Sequence, residues 1–160
     1  MDIDTKKVRL EPMTDEMYQI YFREYENDPD LCLPGQECRP FVYNEESVER
    51  YVQRQRERKR VPLAILYGNE IVGEILIKDV EPSVCATLSV TLKNTGYKDR
   101  GIGTQAEKLA VAYVFWQMDI PTLYADTVRT NTRSQHVLEK VGFVKIRENA
   151  KFCYYRIDRP

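Results

Sequence analysis

One histidine, His136, and one tryptophan, Trp116, are all that 160 residues contain of either. The four cysteines, Cys32, Cys38, Cys85 and Cys153, show no C-x-x-C spacing. With so little imidazole and no clustered thiols, no metal is expected, and the cysteines read as reduced. No apolar run approaches the roughly 18 residues a membrane span needs. Met1-Asp2-Ile3-Asp4 is too polar and acidic for a signal peptide. A net charge of −1 removes any global pull toward nucleic acid or membrane surfaces. No internal repeat or low-complexity tract is visible. These absences predict a single domain over 1–160 with a cytoplasmic address, and neither nucleic acid nor membrane as partner.

Glycine is scarce too, at seven residues, yet Gly101 and Gly103 stand in one loop. Ahead of it, Ala86-Thr87-Leu88-Ser89-Val90-Thr91-Leu92 is a β-type run. Behind it, Ala106, Leu109, Ala110 and Tyr113 recur at helical spacing, predicting a helix over 104–118. Strand, glycine loop and helix make an anion site, because backbone N–H groups and the helix dipole converge there. Lys98 and Arg100 add positive charge.

The remaining chain reads in order. Val8-Arg9-Leu10 is a short strand, and Met13 to Tyr25 an amphipathic helix capped at Thr14. Residues 27–43, with Pro29, Pro34, Gly35 and Pro40, form a loop long enough to be a binding loop or lid. With its flanks it carries Glu24, Glu26, Asp28, Asp30 and Glu37 against Arg23 and Arg39, an acidic surplus that suits a cationic amine. Asn44 begins a second helix, which ends in Arg54, Arg56, Arg58, Lys59 and Arg60. Cations favour a helix C-terminus, so this basic run reads as a solvated end rather than a nucleic-acid patch.

Leu63–Tyr67 and Ile71–Ile77 pair through a turn at Gly68-Asn69, and Gly73 marks close approach of another backbone. Thr122–Val128 is a strand containing a lone Asp126. Asn131 starts a helix closed by Gly142 and Phe143, and Val144–Arg147 and Phe152–Ile157 are the last strands. The order β α α β β β α β α β β predicts an α+β domain. Its sheet is mixed and mostly antiparallel, of about seven strands with four helices.

Three phosphate loops compete for residues 96–106. Gly96 and Gly101 have P-loop spacing, but Ile102-Gly103 stands where Lys-Ser/Thr is needed. Gly101-Ile102-Gly103-Thr104-Gln105-Ala106 spells the dinucleotide fingerprint, with Asp126 about twenty residues on. However, Tyr97-Lys98-Asp99-Arg100 separates it from its strand, and the chain behind is too short for a doubly wound domain. The third is the pyrophosphate loop Gln/Arg-x-x-Gly-x-Gly/Ala of acyl-CoA-dependent N-acyltransferases. Lys98-Asp99-Arg100-Gly101-Ile102-Gly103 resembles it, with lysine in the first place.

A second motif, Asn131-Thr132-Arg133-Ser134-Gln135-His136-Val137-Leu138-Glu139-Lys140-Val141-Gly142-Phe143, is similar to a helix of the same family. The chain therefore resembles the GNAT superfamily of N-acetyltransferases, and specifically its ribosomal-protein N-acetyltransferase (RimJ/RimL)-like branch. The resemblance implies acetyl-CoA as co-substrate and a primary amine, a peptide N-terminus or small amine, as acceptor, in a monomer or homodimer. It places the pantetheine arm on Thr91, Leu92 and Lys93. The pyrophosphate falls to Lys98, Asp99, Arg100, Gly101, Ile102, Gly103 and Thr104, with a further contact from Asn131.

Amine acetylation needs a base for the amine and a proton for the leaving thiolate. The resemblance points to Asp126 as base, with Glu74, isolated in an apolar strand, as its rival. The family's usual thiol-protonating tyrosine is replaced by Leu138, and Ser134 is the substitute donor. His136 reads as a surface residue. That substitution also admits a different class of protein, a catalytically silent acyl-CoA-binding sensor.

Overall fold

The computed structural model describes residues 7–35, 40–98 and 100–160. Its strands are β1 (Val8–Pro12), β2 (Val61–Tyr67), β3 (Glu70–Glu81), β4 (Cys85–Leu92), β5 (Thr122–Val128), β6 (Val144–Glu148) and β7 (Phe152–Asp158). Its helices are α1 (Asp15–Arg23), α2 (Glu45–Glu57), α3 (Ile102–Ala112) and α4 (Thr132–Val141). The strands form one sheet in the order β1-β2-β3-β4-β5-β7-β6. Among the described strands only β4 and β5 run parallel, joined by the α3 crossover, so the domain is α+β as predicted.

Local chemistry sets the helix ends. The Thr14 hydroxyl accepts from Met17 N at 3.1 Å, and Asn44 Oδ1 accepts from Glu46 N and Ser47 N. Asn131 Oδ1 accepts from Ser134 N at 3.2 Å, while Gly142 ends α4 at φ 117° with Phe143 N–H returning to Leu138 O. The α3 helix starts two residues before the predicted 104, and beyond Ala112 it widens into a π turn over Tyr113–Gln117. The basic end of α2 is a helix C-terminus, with Arg56 paired to Asp15 and Arg60 bonded to Gln55.

The sheet has two dressed faces. Behind it, Ile65, Ile75, Leu88, Leu123 and Ala125 pack with Ile102, Ala106 and Ala110 of α3 and Leu138 of α4. In front, Ala64, Leu66 and Ile71 pack with Tyr18, Tyr21 and Phe22 of α1 and Val48 and Val52 of α2. A bulge makes Val72 the extra residue, since Ile65 pairs with Gly73 and Leu66 with Ile71. Beyond the bulge the strand's phase is reversed, which turns Glu74 to the front.

Two strands then separate. β4 and β5 are paired only from Cys85↔Thr122 to Leu88↔Ala125. Past that point β4 stays on β3 as far as Leu92, and β5 stays on β7 as far as Val128. The sheet is thus held on both outer sides while a notch opens in its middle.

One expectation fails. Cys32 is disulfide-bonded, so the cysteines are not all reduced, although Cys85 and Cys153 are free. Cys38, Glu37, Arg39 and the polar start Met1-Asp2-Ile3-Asp4 lie outside the described residues. Among the described residues no helix is long and apolar enough to cross a membrane.

Candidate active site

The notch exposes main-chain groups. Lys93 N–H donates to Val72 O at 2.8 Å. By the alternation of an antiparallel ladder, Thr91 and Ser89 also turn their main-chain groups to β3. Those of Val90 and Leu92 are left facing the gap. Of the expected Thr91, Leu92 and Lys93, Leu92 turns its main-chain groups to the gap, beside Val90. Thr91 lines the cavities on either side of β4 instead. Lys93 is turned away from the gap: its N–H is used, its carbonyl accepts from Glu26 N, and its ammonium pairs with Glu24. The sequence could not show this, because the phase of β4 is set by its pairing with β3 and β5.

Three cavities run along the notch and share their walls. The first, of about 260 Å³, lies between Ser89, Val90 and Thr91 on β4 and Asp126 and Thr127 on β5, with Glu107, Ser134 and Leu138 behind. The next, of about 100 Å³, adds Leu92, Lys98, Gly103, Asn131 and Arg133. The last, of about 550 Å³, reaches Gly101 and Thr104 at the start of α3 and Thr132, His136 and Lys140 along α4. His136 is exposed there, as expected.

The far end suits an anion. Gly101 sits at φ 77°, a left-handed conformation that favours glycine, and it brings no capping side chain to α3. Ile102, Gly103 and Thr104 are the first helical residues, so their N–H groups have no intrahelical partner. A Cβ built on Gly103 would meet nothing within 4 Å, so the space over it is open. Lys98 lines this cavity while bound to Asp28 at 2.5 Å and Asp30 at 3.2 Å. Arg100 does not join it; its guanidinium lies 5.1 Å from the Tyr67 ring centroid and 5.9 Å from that of Tyr97. Asp99 lies outside the described residues.

On the other side of Thr91 is a basket of about 520 Å³. Tyr21, Phe22, Tyr25, Phe41 and Tyr51 form its walls, Glu74 and Thr91 its floor, and Arg54 and Asn27 its rim. Only 5% of Glu74 is exposed. Tyr51 Oη donates to its two carboxylate oxygens at 2.7 and 2.9 Å. Tyr18 Oη is buried near the same carboxylate without a well-formed hydrogen bond. Burial raises the Glu74 pKa; hydrogen bonding and the Arg60 charge pull against it without cancelling it. The same burial, with the Glu74 charge, pushes the Tyr51 phenol up. The rival carboxylate, Asp126, is exposed on the opposite wall of the notch.

The aromatic basket was not legible in the sequence, because α1, α2, the 27–43 loop and β3 each contribute part of it. Glu107 was missed although its signal was present: it is a carboxylate on the stripe of α3 that also carries Ala106, Ala110 and Val111. Burial raises its pKa to about 8.

A parallel strand pair splayed over a glycine-started helix, with a second helix start beside it, is the build of an acetyltransferase fold. The acetyltransferase (GNAT) domain model matches residues 7–144, and the chain belongs to that family. No curated protein matches it by sequence. Among solved structures it is similar to a GNAT-family acetyltransferase from Bacillus anthracis, with 20% identity, TM-score 0.72, and 99% and 98% of the two chains covered. It is also similar to aminoglycoside acetyltransferase AAC(6')-Ib in complex with coenzyme A, with 16% identity, TM-score 0.75, and 96% and 95% covered. A third is the Campylobacter jejuni N-acetyltransferase PseH in complex with acetyl coenzyme A, with 16% identity, TM-score 0.63, and 72% and 79% covered. Identities this low speak for the fold alone.

Proposed function

We propose that the protein transfers the acetyl group of acetyl-CoA to a primary amine by direct attack in a ternary complex. The observation that carries this reading is Thr91, which lines the cofactor notch and the Glu74 basket alike. The open space at Gly103, the uncapped start of α3 and the free ladder edge fit a pyrophosphate followed by an amide-bearing arm. Ile102, Gly103 and Thr104 N–H groups with Lys98 would hold the pyrophosphate. Val90 and Leu92 would hold the arm, and Asn131 shapes the wall between them. The co-substrate supplies an activated thioester.

Glu74 takes the proton of the incoming ammonium. A buried carboxylate with a raised pKa is a stronger base than an exposed one, which favours Glu74 over Asp126. The tyrosine faces attract a cation by their quadrupoles, so an ammonium is drawn into the basket ahead of a neutral nucleophile. Ser134, on the notch wall, donates a hydrogen bond toward the departing sulfur, where the buried Leu138 has nothing to offer. The Val90 N–H faces the notch as donor for the carbonyl oxygen. The acceptor is a peptide N-terminus or a small amine, which is the chemistry of the ribosomal-protein branch.

Calorimetry with acetyl-CoA, followed by CoA-release assays over N-terminal peptides, polyamines and amino acids, tests this. The reading expects binding and release with at least one amine. Absence of binding would end it, and binding without release from any acceptor would favour the silent sensor.

A further inference from the structure

We propose that Glu107 is the proton donor to the sulfur that leaves the acetyl group, an assignment that rests on the transferase reading above. Glu107 lies one helical turn beyond Gly103, and the residue is only 6% exposed. It lines both the cavity of about 260 Å³ and the one of about 100 Å³, against Val90 and Thr91. Its Oε2 has no hydrogen-bond partner. A buried polar atom left unpaired costs on the order of 1–3 kcal/mol, so a fold keeps one where something else uses it. Nothing in the packing of α3 needs a carboxyl there, since its neighbours on the stripe are Ala106, Ala110 and Val111.

The other notch groups do not supply a proton. Leu138 is apolar and buried. A Ser134 hydroxyl can solvate a sulfur, but it gives up a proton only if another replaces it. Burial holds Glu107 protonated up to about pH 8. A thiol titrates near 8.5, so transfer from Glu107 to a thiolate is close to isoergic, the condition for efficient general acid catalysis. The balance is complete: the C–N bond forms, the C–S bond breaks, and the Glu107 proton goes to sulfur. The nitrogen loses its protons through Glu74 to solvent, and Glu107 regains one from solvent through the open notch.

Glu107→Gln and Glu107→Leu test the assignment, with acetyl-CoA binding, kcat against pH, and the infrared band of protonated carboxyls at pH 7 as readouts. Support would be a band present in the wild type and absent from both variants, with Kd for acetyl-CoA within about threefold of wild type. It would also need kcat lowered about 100-fold and the alkaline limb of the pH profile abolished. An unchanged kcat and pH profile would overturn it, and so would a loss explained by weaker acetyl-CoA binding, which would make Glu107 a contact to the arm. A wild type that binds acetyl-CoA but releases no CoA would overturn the transferase reading itself, with the carboxyl band still in place.

Discussion

Glu74 and Thr91 face each other across the β3–β4 ladder, and both turn to the front of the sheet. The proposed base is thereby one strand spacing from a residue that walls the notch. Gln at position 74 keeps the shape and the Tyr51 contact but cannot accept a proton. Glu74→Gln should lower kcat by about 100-fold while the KM for acetyl-CoA holds. The wild-type rate should fall as pH drops through the raised Glu74 pKa, and that acidic limb should vanish in the variant. Asp126→Asn is the control and should change kcat by less than about threefold; the reverse ranking would move the base to β5.

What the sequence made legible was local. The helix start at Asn131 and the Gly142 stop follow from side-chain chemistry within a few residues, and each stands where it was expected. Glycine at 73 announced a close approach, which proves to be the Thr91 carbonyl. Register was different. Val72 is an extra residue in the β2–β3 pairing and turns Glu74 to the front, while the pairing of β4 with β3 decides which β4 groups face the notch. Charges were hardest to place, because long side chains choose partners across the fold. Lys93 goes to Glu24 and Arg100 to the ring of Tyr67.

Gly73→Ala probes that close approach. A Cβ at 73 would stand 2.7 Å from Thr91 O and 2.8 Å from Ile65 Cδ1, and the carbonyl belongs to a paired strand. The variant should lose about 1–3 kcal/mol in urea unfolding. Because Thr91 would move, acetyl-CoA binding should weaken as well. A stable variant with normal binding would show that β4 is not held as tightly as its geometry implies.

Lys98 serves two anions. Asp28 and Asp30 hold it now, and a bound pyrophosphate would have to share it. Asp30→Asn should therefore tighten acetyl-CoA binding by about threefold at low salt, an advantage that fades as salt screens the pair. Lys98→Ala should raise Kd about tenfold, the scale of one charge-assisted hydrogen bond. Titration calorimetry at two ionic strengths reads both, and equal Kd values for all three proteins would remove Lys98 from the cofactor site.

The buried Glu107 also writes itself into stability. Its pKa is about 8 folded against the ordinary carboxylate value of 4.5. Between those values the unfolded chain has released the proton and the folded one retains it, so stability falls as pH rises. The fall is at most about 1.4 kcal/mol per pH unit and stops above pH 8, where both states are ionised. Glu107→Gln carries no such proton. Urea unfolding of both proteins from pH 5 to 9 should show the variant gaining on the wild type up to about pH 8, then a constant gap. Parallel curves across that range would mean that water reaches the carboxyl freely, and that the notch floor is wetter than its packing suggests.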